Sequence, residues 1–369
     1  MRIGMDIREL EKDKMTGIGR YLLNFLSYVS KYDKENEYIL FGNQKTLCPI
    51  SGINITLKIM SEFNRIYWDQ ILLAKQLYKE NIDIFFSPNH KFPIFSPIKS
   101  IITVHDLYPF LINDFDPLPK ILLMPYYYKF MFHNADFIIT VSEYTKKMML
   151  EQSNLDSNKI KVIYNCVGEE FKILEKKECL KKLVRLYGID KDFILYVGNL
   201  KPHKNLKRLI EAYYLLSPNL RSKFELVIIA KKDTFFPALY KMVKDNNLEK
   251  DVIFTDFVRD DELAYFYNAA TAYISVSLHE GFGLPFVEAM ACGTPVISAN
   301  VSASPEIVGD AAILLDPLDI KQISRAMQMM LTDEQLRKEL SKKGLERAKI
   351  FSVKSSSEQL LRIFKELIA

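Results

Sequence analysis

The sequence predicts an α/β protein of two Rossmann-like parallel-sheet domains facing a cleft. Three observations carry that expectation. Short apolar runs alternate with longer amphipathic stretches along nearly all 369 residues, as strands joined by crossover helices do. The alternation halts at one charged stretch, 169–192, and restarts as a second complete block. The length also favours two domains over one core.

The elements follow in order. MRIGMDI reads as the first strand, and GIGRYLLNFLSYVSKY places apolar residues at helical spacing. EYILFG, IDIFFSP, SIITVHD and FIITVSE are the next strands, and KVIYN, 161–165, leads out of an N-terminal domain over 1–168. A linker is expected over 169–190. The second domain, 191–350, opens on FILYVGN, continues with a helix from about Asn205, and takes ELVIIA, DVIFTDF, AYISVS, PVISAN and AAILLD as further strands. Residues 351–369 read as a helix that either finishes the second domain or crosses back to the first. Ligands of open parallel sheets bind outside the carboxyl ends of the strands, so the motifs at those ends are the ones that carry chemistry.

Composition narrows the class. A net charge of +4 is mild and shows no concentrated basic stripe, which argues against a nucleic-acid partner and suits anionic small molecules or lipid headgroups. Cys48, Cys166, Cys179 and Cys292 lack metal-ligand spacing and read as reduced thiols of a cytoplasmic protein. The charged start lacks a signal-peptide core, and no apolar run reaches the roughly 20 residues that cross a bilayer. ILLMPYYYKFMF, 121–132, reads first as a packed helix, with peripheral contact to an anionic membrane as the second reading.

Gly17 and Gly19 stand after the first strand at a helix start, where backbone N–H groups can meet an anion. A tight packing turn explains them equally well, and a third glycine of a dinucleotide fingerprint is missing. In YVGNLKPHKNLKRLIEAY, Lys204 sits at a strand-to-helix junction where its charge can meet a phosphate. Asn205 reads as the helix cap; Lys201, His203, Lys207 and Arg208 read as solvated. Arg259 stands at a comparable junction, aimed at phosphate or paired with the acids beside it.

HEGFGLPFVEAMACGTPVIS, 279–298, is the densest segment. Glu280 lies in the loop after a buried strand, Gly281 and Gly283 free backbone N–H groups, and Glu288 lies one helical turn in, facing the same mouth. Two carboxylates beside a phosphate-type turn suit a sugar nucleotide, because carboxylates accept from vicinal hydroxyls while the turn and Lys204 take the diphosphate. A glycosidase pair is the competing reading. Ser302, Ser304 and Glu306 stand at the next strand end, with Glu306 organising its loop. In the first domain, His105 ends a strand and is expected to position the transferred group. Asp106 and His90 are acceptor-side candidates at strand ends, and Asp106 could serve only a turn. No His, Cys or Asp cluster suggests a metal.

These residues resemble the family 4 glycosyltransferases of the GT-B fold, most of all its mannosyltransferase-like members. HEGFGLPFVEAMACGTPVIS, YVGNLKPHKNL and SPEIVGDAAILLDP are similar to the donor half, and TGIGRY, VHDLYP and ITVSEYTK to the acceptor half. The resemblance implies that Glu280 contacts the donor sugar, with Gly281 and Phe282 near the sugar and phosphates and Gly283 and Leu284 in the same donor-binding set. It implies that Glu288 binds the ribose, that Lys204 meets the donor phosphate, and that His105 lies near the transferred sugar. Gly17 and Gly19 match the loop over the diphosphate. Asn199 stands where many members carry an arginine, which leaves the clamp to Lys204, backbone groups and Arg259.

The implied reaction is retaining transfer of a hexose from a nucleoside-diphosphate sugar, without cofactor or divalent metal. GDP-mannose leads among donors, ahead of UDP-glucose and UDP-acetylamino sugars. The acceptor is a glycan or lipid-linked glycan of the cell surface, and the site of work the cytoplasm or the inner membrane face. No residue stands out as a covalent nucleophile, so same-face attack is expected. An epimerase or phosphorylase of the same architecture and a non-catalytic sugar-nucleotide-binding scaffold are the alternatives.

Overall fold

A computed structural model describes residues 1–11, 16–107 and 118–368. The chain forms two units: Met1–Cys166 with Ser352–Ala369, and Val167–Phe351. Each is a parallel sheet layered with helices.

The first unit holds β1 (Arg2–Asp6), β2 (Glu37–Gly42), β3 (Ile55–Ile59), β4 (Ile84–Ser87), β5 (Lys99–Val104), β6 (Phe137–Thr140) and β7 (Ile160–Val162). They order as β3-β2-β1-β4-β5-β6-β7, parallel throughout. Strands buried on both faces read as unbroken apolar runs, which is why EYILFG and IDIFFSP stood out. One core layer packs Phe25, Tyr38 and Phe86 against the last helix, Val353–Ile368, whose Phe364 ring lies 5.7 Å from that of Phe86. That helix therefore belongs to the first unit.

The second unit holds β8 (Asp192–Val197), β9 (Phe224–Ile229), β10 (Val252–Phe254), β11 (Ala272–Ser275), β12 (Val296–Ala299) and β13 (Ala312–Leu315), ordered β10-β9-β8-β11-β12-β13. The expected linker is different in kind. It contains the helix Lys176–Tyr187, which buries Cys179 and Leu183 and sets Tyr187 4.9 Å from Phe266. A charged helix with one apolar stripe reads as linker when only its charge is weighed.

The helix Leu118–Asn134 carries Pro125 inside it; Tyr128, Met131 and Phe132 are buried, while Tyr126, Tyr127 and Phe130 stay exposed. Among the described residues no helix is long and apolar enough to cross a membrane. In both sheets the strand order reverses once, between β1 and β4 and between β8 and β11. Crevices form at such reversals, outside the carboxyl ends.

Candidate functional site

Lys204 and Glu280 flank the reversal in the second sheet. Lys204 ends a short 3-10 turn, Pro202–Lys204, after β8; Glu280 follows β11. Lys204 Nζ donates to Glu280 Oε1 at 2.6 Å, and both side chains are mostly buried. Burial would raise the Glu280 carboxyl, but the Lys204 charge, its hydrogen bond and one from Ser277 hold it below the usual carboxylate value. Glu280 is therefore an anion at neutral pH, aligned by a fixed cation.

The surrounding backbone holds this pair in place. Leu278 N donates to His203 O at 2.7 Å, tying the two loops together. Glu280 N donates to Ser302 Oγ at 3.0 Å and Ala303 N to Glu280 O at 3.3 Å, so the loop after β12 brackets the Glu280 peptide. Ser302 adopts a positive φ of 56°, an uncommon conformation for a serine and a sign that this contact is enforced by its surroundings.

Asn205 differs from its expected role. It occupies the cap position with φ 60° but makes no side-chain cap. Its Nδ2 donates to Val276 O at 3.0 Å and Pro317 O at 2.7 Å, and its Oδ1 accepts from Arg208 at 3.0 Å. It ties the Lys204 turn to the ends of β11 and β13, and Arg208 is engaged rather than solvated. His203 is also buried, not solvated; burial, with the neighbouring Lys204 charge, pushes its imidazole down to about 3.

The glycine turn lies beside the ion pair. Gly283 has φ 89° and precedes the helix Leu284–Ala291, with Gly281 buried and Leu284 half-buried. A Cβ at Gly283 would stand 2.4 Å from the Phe286 ring. Phe282 is buried, and its ring packs 5.5 Å from that of Phe351. Glu288 is 1% exposed rather than open to a mouth, and its Oε2 accepts from Tyr267 OH at 2.7 Å. Arg259 is exposed and pairs with Asp261 at 2.9 Å and Glu262 at 3.2 Å; its guanidinium is committed to its own helix. Asn199 is exposed, and its Oδ1 accepts from Lys201 N at 3.1 Å.

The first unit assembles a separate set at its own reversal. His105 follows β5; its ring meets Tyr21 edge-on at 5.2 Å and its Nε2 lies 2.8 Å from Pro88 O. A carbonyl only accepts, so Nε2 carries the proton, and burial holds the imidazole below its usual value. The neutral ring then presents Nδ1 as an acceptor. His90 packs 4.4 Å from Tyr128, and burial, then Lys91, pushes it down to about 3. His105 contributes to the depression of His90, and the Asp106 charge partly offsets the effect of burial on His105. Gly17 and Gly19 are in the first turn of the helix Gly17–Tyr32, not in a loop before it, and Gly19 N donates to the Thr16 cap at 3.0 Å. Tyr108 and Pro109 of VHDLYP lie outside the described residues.

Sequence reasoning missed two residues. Tyr267 holds Glu288, and its only signal is an aromatic on the helix packed next to it. Arg8 stands just past β1, with Asp6 at 2.7 Å, Asp69 at 2.5 Å and Glu62 at 3.2 Å, and its guanidinium lies 3.6 Å over the Trp68 ring. Trp68 and Asp69 come from a π-helical turn, Trp68–Leu72, a widening frequent at functional sites. The DIR triplet was the only local sign. Among the described residues no group of three or more His, Cys, Asp or Glu could hold a metal.

Residues 185–347 match the family described as Glycosyl transferases group 1, and residues 15–171 match Glycosyltransferase Family 4. The chain is 29% identical over 284 residues to the O-antigen chain mannosyltransferase B of Escherichia coli, covering 77% of this chain and 74% of that protein. It is 30% identical over 267 residues to the O-antigen chain mannosyltransferase RfbU of Salmonella typhimurium, covering 71% and 68%. A match of 30% over 281 residues to the serotype-specific mannosyltransferase WbdA of Escherichia coli covers 74% of this chain and about a third of that protein, 34%. Among solved structures, sucrose-phosphate synthase from Thermosynechococcus elongatus superimposes with a TM-score of 0.78 at 19% identity, covering 99% of this chain and 98% of the other. That likeness concerns the fold.

Proposed function

Because the chain belongs to the group 1 glycosyl transferases, GT-B enzymes that use nucleoside-diphosphate sugars, we propose that it transfers mannose from GDP-mannose. The acceptor in this reading is a glycan or lipid-linked glycan, and the product retains the anomeric configuration. The observation that carries the reading is the Lys204–Glu280 pair at the strand reversal beside the glycine turn. Support for mannose comes from the relatives, which are themselves mannosyltransferases.

Lys204 supplies the positive charge that meets the leaving diphosphate, in place of a divalent ion, with the positive-φ Gly283 shaping the turn beside it. Glu280 accepts from hydroxyls of the sugar, which requires it to share or release Lys204. Glu288, held by Tyr267, accepts from the ribose in this reading. His105 of the first unit is neutral and keeps Nδ1 to accept a hydroxyl. The bond from the anomeric carbon to the diphosphate oxygen breaks as the acceptor oxygen bonds on the same face, and the acceptor proton passes to the departing phosphate. The exposed Tyr126, Tyr127 and Phe130 touch an anionic membrane surface in this reading.

The test is transfer from a panel of GDP- and UDP-sugars in EDTA, with product anomers read by NMR. GDP-mannose as preferred donor and a retained anomer support the proposal. A preference for UDP-glucose or a UDP-acetylamino sugar overturns the donor; an inverted product overturns the mechanism; tight donor binding with no turnover points to a scaffold. Failure to sediment with anionic liposomes removes the membrane contact.

A further inference from the structure

We propose that the second unit carries a separate site for a small phosphorylated sugar at the amino-terminal edge of its sheet, the edge opposite Lys204 and Glu280. A cavity of about 520 Å³ opens there. One wall is formed where strands begin, at Asp192 of β8, Phe224 of β9, Thr271 before β11 and Pro295 before β12. The other is one face of the helix Glu334–Ala348, presenting Arg337, Ser341, Lys342 and Leu345 at three- and four-residue spacing. The volume falls within the range of small-molecule pockets and far exceeds what inorganic phosphate fills.

The charges select an anion. Of the four cations on the walls, Lys176 pairs with Asp192 at 3.0 Å and Lys338 with Glu334 at 2.7 Å. Arg337 and Lys342 make no ion pair among the described residues. Arg337 spends one nitrogen on Met330 O at 2.7 Å, which leaves donors of its guanidinium fork for a phosphate.

The remaining lining suits a sugar. Thr271 is 8% exposed and its buried Oγ1 has no hydrogen-bond partner. Ser341 Oγ donates to Gly293 O at 2.6 Å and Thr294 Oγ1 to Tyr267 O at 2.6 Å; both hydroxyl oxygens keep lone pairs for ligand hydroxyls. Phe224 and Leu345 supply apolar surface for the ring.

The same contacts connect this edge to the other one. Thr294 holds the carbonyl of Tyr267, whose hydroxyl holds Glu288. An occupant that pulls on Thr294 changes how firmly Tyr267 grips that carboxylate, and by linkage the nucleotide changes the occupant's affinity equally. This coupling rests on the donor-site reading above; the binding site itself does not.

Glucose 6-phosphate is the probe, titrated calorimetrically into the full chain. Binding is expected in the unaltered protein and in Lys204→Ala, and weakening by roughly tenfold in Lys342→Glu, from loss of a charge-assisted contact. Lys342 is exposed, so this variant keeps its fold. Adding Arg337→Gln weakens binding further, and inorganic phosphate binds more weakly than the sugar phosphate. Absence of binding at millimolar probe, unchanged affinity in both Lys342 variants, or competitive displacement by GDP would each overturn the site. Binding that leaves the affinity for GDP unchanged overturns the coupling and upholds the site.

Discussion

Lys204 and Glu280 stand 76 residues apart in the chain, yet their side chains meet at 2.6 Å. The lysine that would face a diphosphate is thus neutralised in the free protein by the carboxylate that would face the sugar. The pair holds the Glu280 carboxylate ionised and both side chains in place before a substrate arrives.

Lys204→Ala removes the cation that holds Glu280 ionised. Burial then dominates, so the Glu280 carboxyl moves up, and the fold loses about 2 kcal/mol from the broken charge-assisted contact. In the native protein the depressed carboxyl contributes stability above its unfolded value near 4.5, which is lost as pH falls through the lower folded value. Urea midpoints measured from pH 7 to 3 should show that acid-dependent loss in the native chain and a smaller one in the variant. Transfer by the variant should drop at least about a hundredfold.

Tyr267→Phe deletes a hydroxyl that serves a buried carboxylate at 2.7 Å. A cost of about 1–3 kcal/mol is expected, with KM for the donor raised more than kcat is lowered. Steady-state kinetics separate the two. An unchanged KM would show that Glu288 only packs.

The buried histidines make the protein acid-sensitive. Burial depresses His90 and His203 to about 3 from the usual 6.5. The unfolded chain therefore takes up protons near pH 6.5 that the folded chain refuses. Stability falls as pH drops below 6.5, by about 1.4 kcal/mol per pH unit for each histidine, until the folded values are reached. Thermal midpoints between pH 7 and 4 should flatten in His90→Gln and in His203→Gln.

Two glycines with positive φ separate steric from conformational cost. Gly188, at φ 69°, has nothing within 4 Å of an added Cβ, so Gly188→Ala should cost about 1–2 kcal/mol. Gly283→Ala meets the Phe286 ring at 2.4 Å besides its φ of 89° and should cost more, with loss of donor binding. Denaturation midpoints and nucleotide titration compare the two.

Arg8→Met strands Asp6 and Asp69 beside each other in the first unit. Burial already raises the Asp69 carboxyl in spite of Arg8. Removing the cation should cost about 3–5 kcal/mol. Arg8→Lys should rescue only part of this, because an ammonium cannot reproduce the fork or the stack on Trp68. Chemical denaturation of the three chains gives the ranking.

The two-sheet architecture was legible because strand and helix periods are local: EYILFG or PVISAN declares a buried parallel strand without reference to anything distant. The positions of Lys204, Glu280 and His105 at strand ends followed from the same reading, since chain direction alone places the residue after a strand at its carboxyl edge. Local period and chain direction therefore fix the set of edge residues and the order in which the chain delivers them.

Which of them meet depends on the assembled fold. Contact depends on strand order and on how neighbouring helices pack, and no local period encodes either. The adjacency of β8 and β11 brings Lys204 to Glu280, although two strands intervene in sequence. Packing of the Asp260–Ala269 helix buries Glu288 under Tyr267, and the same long-range assembly commits Asn205 to two carbonyls instead of a cap. Arg8 follows the first strand, and only folding brings Asp69 and Trp68, from a turn about sixty residues later, around it.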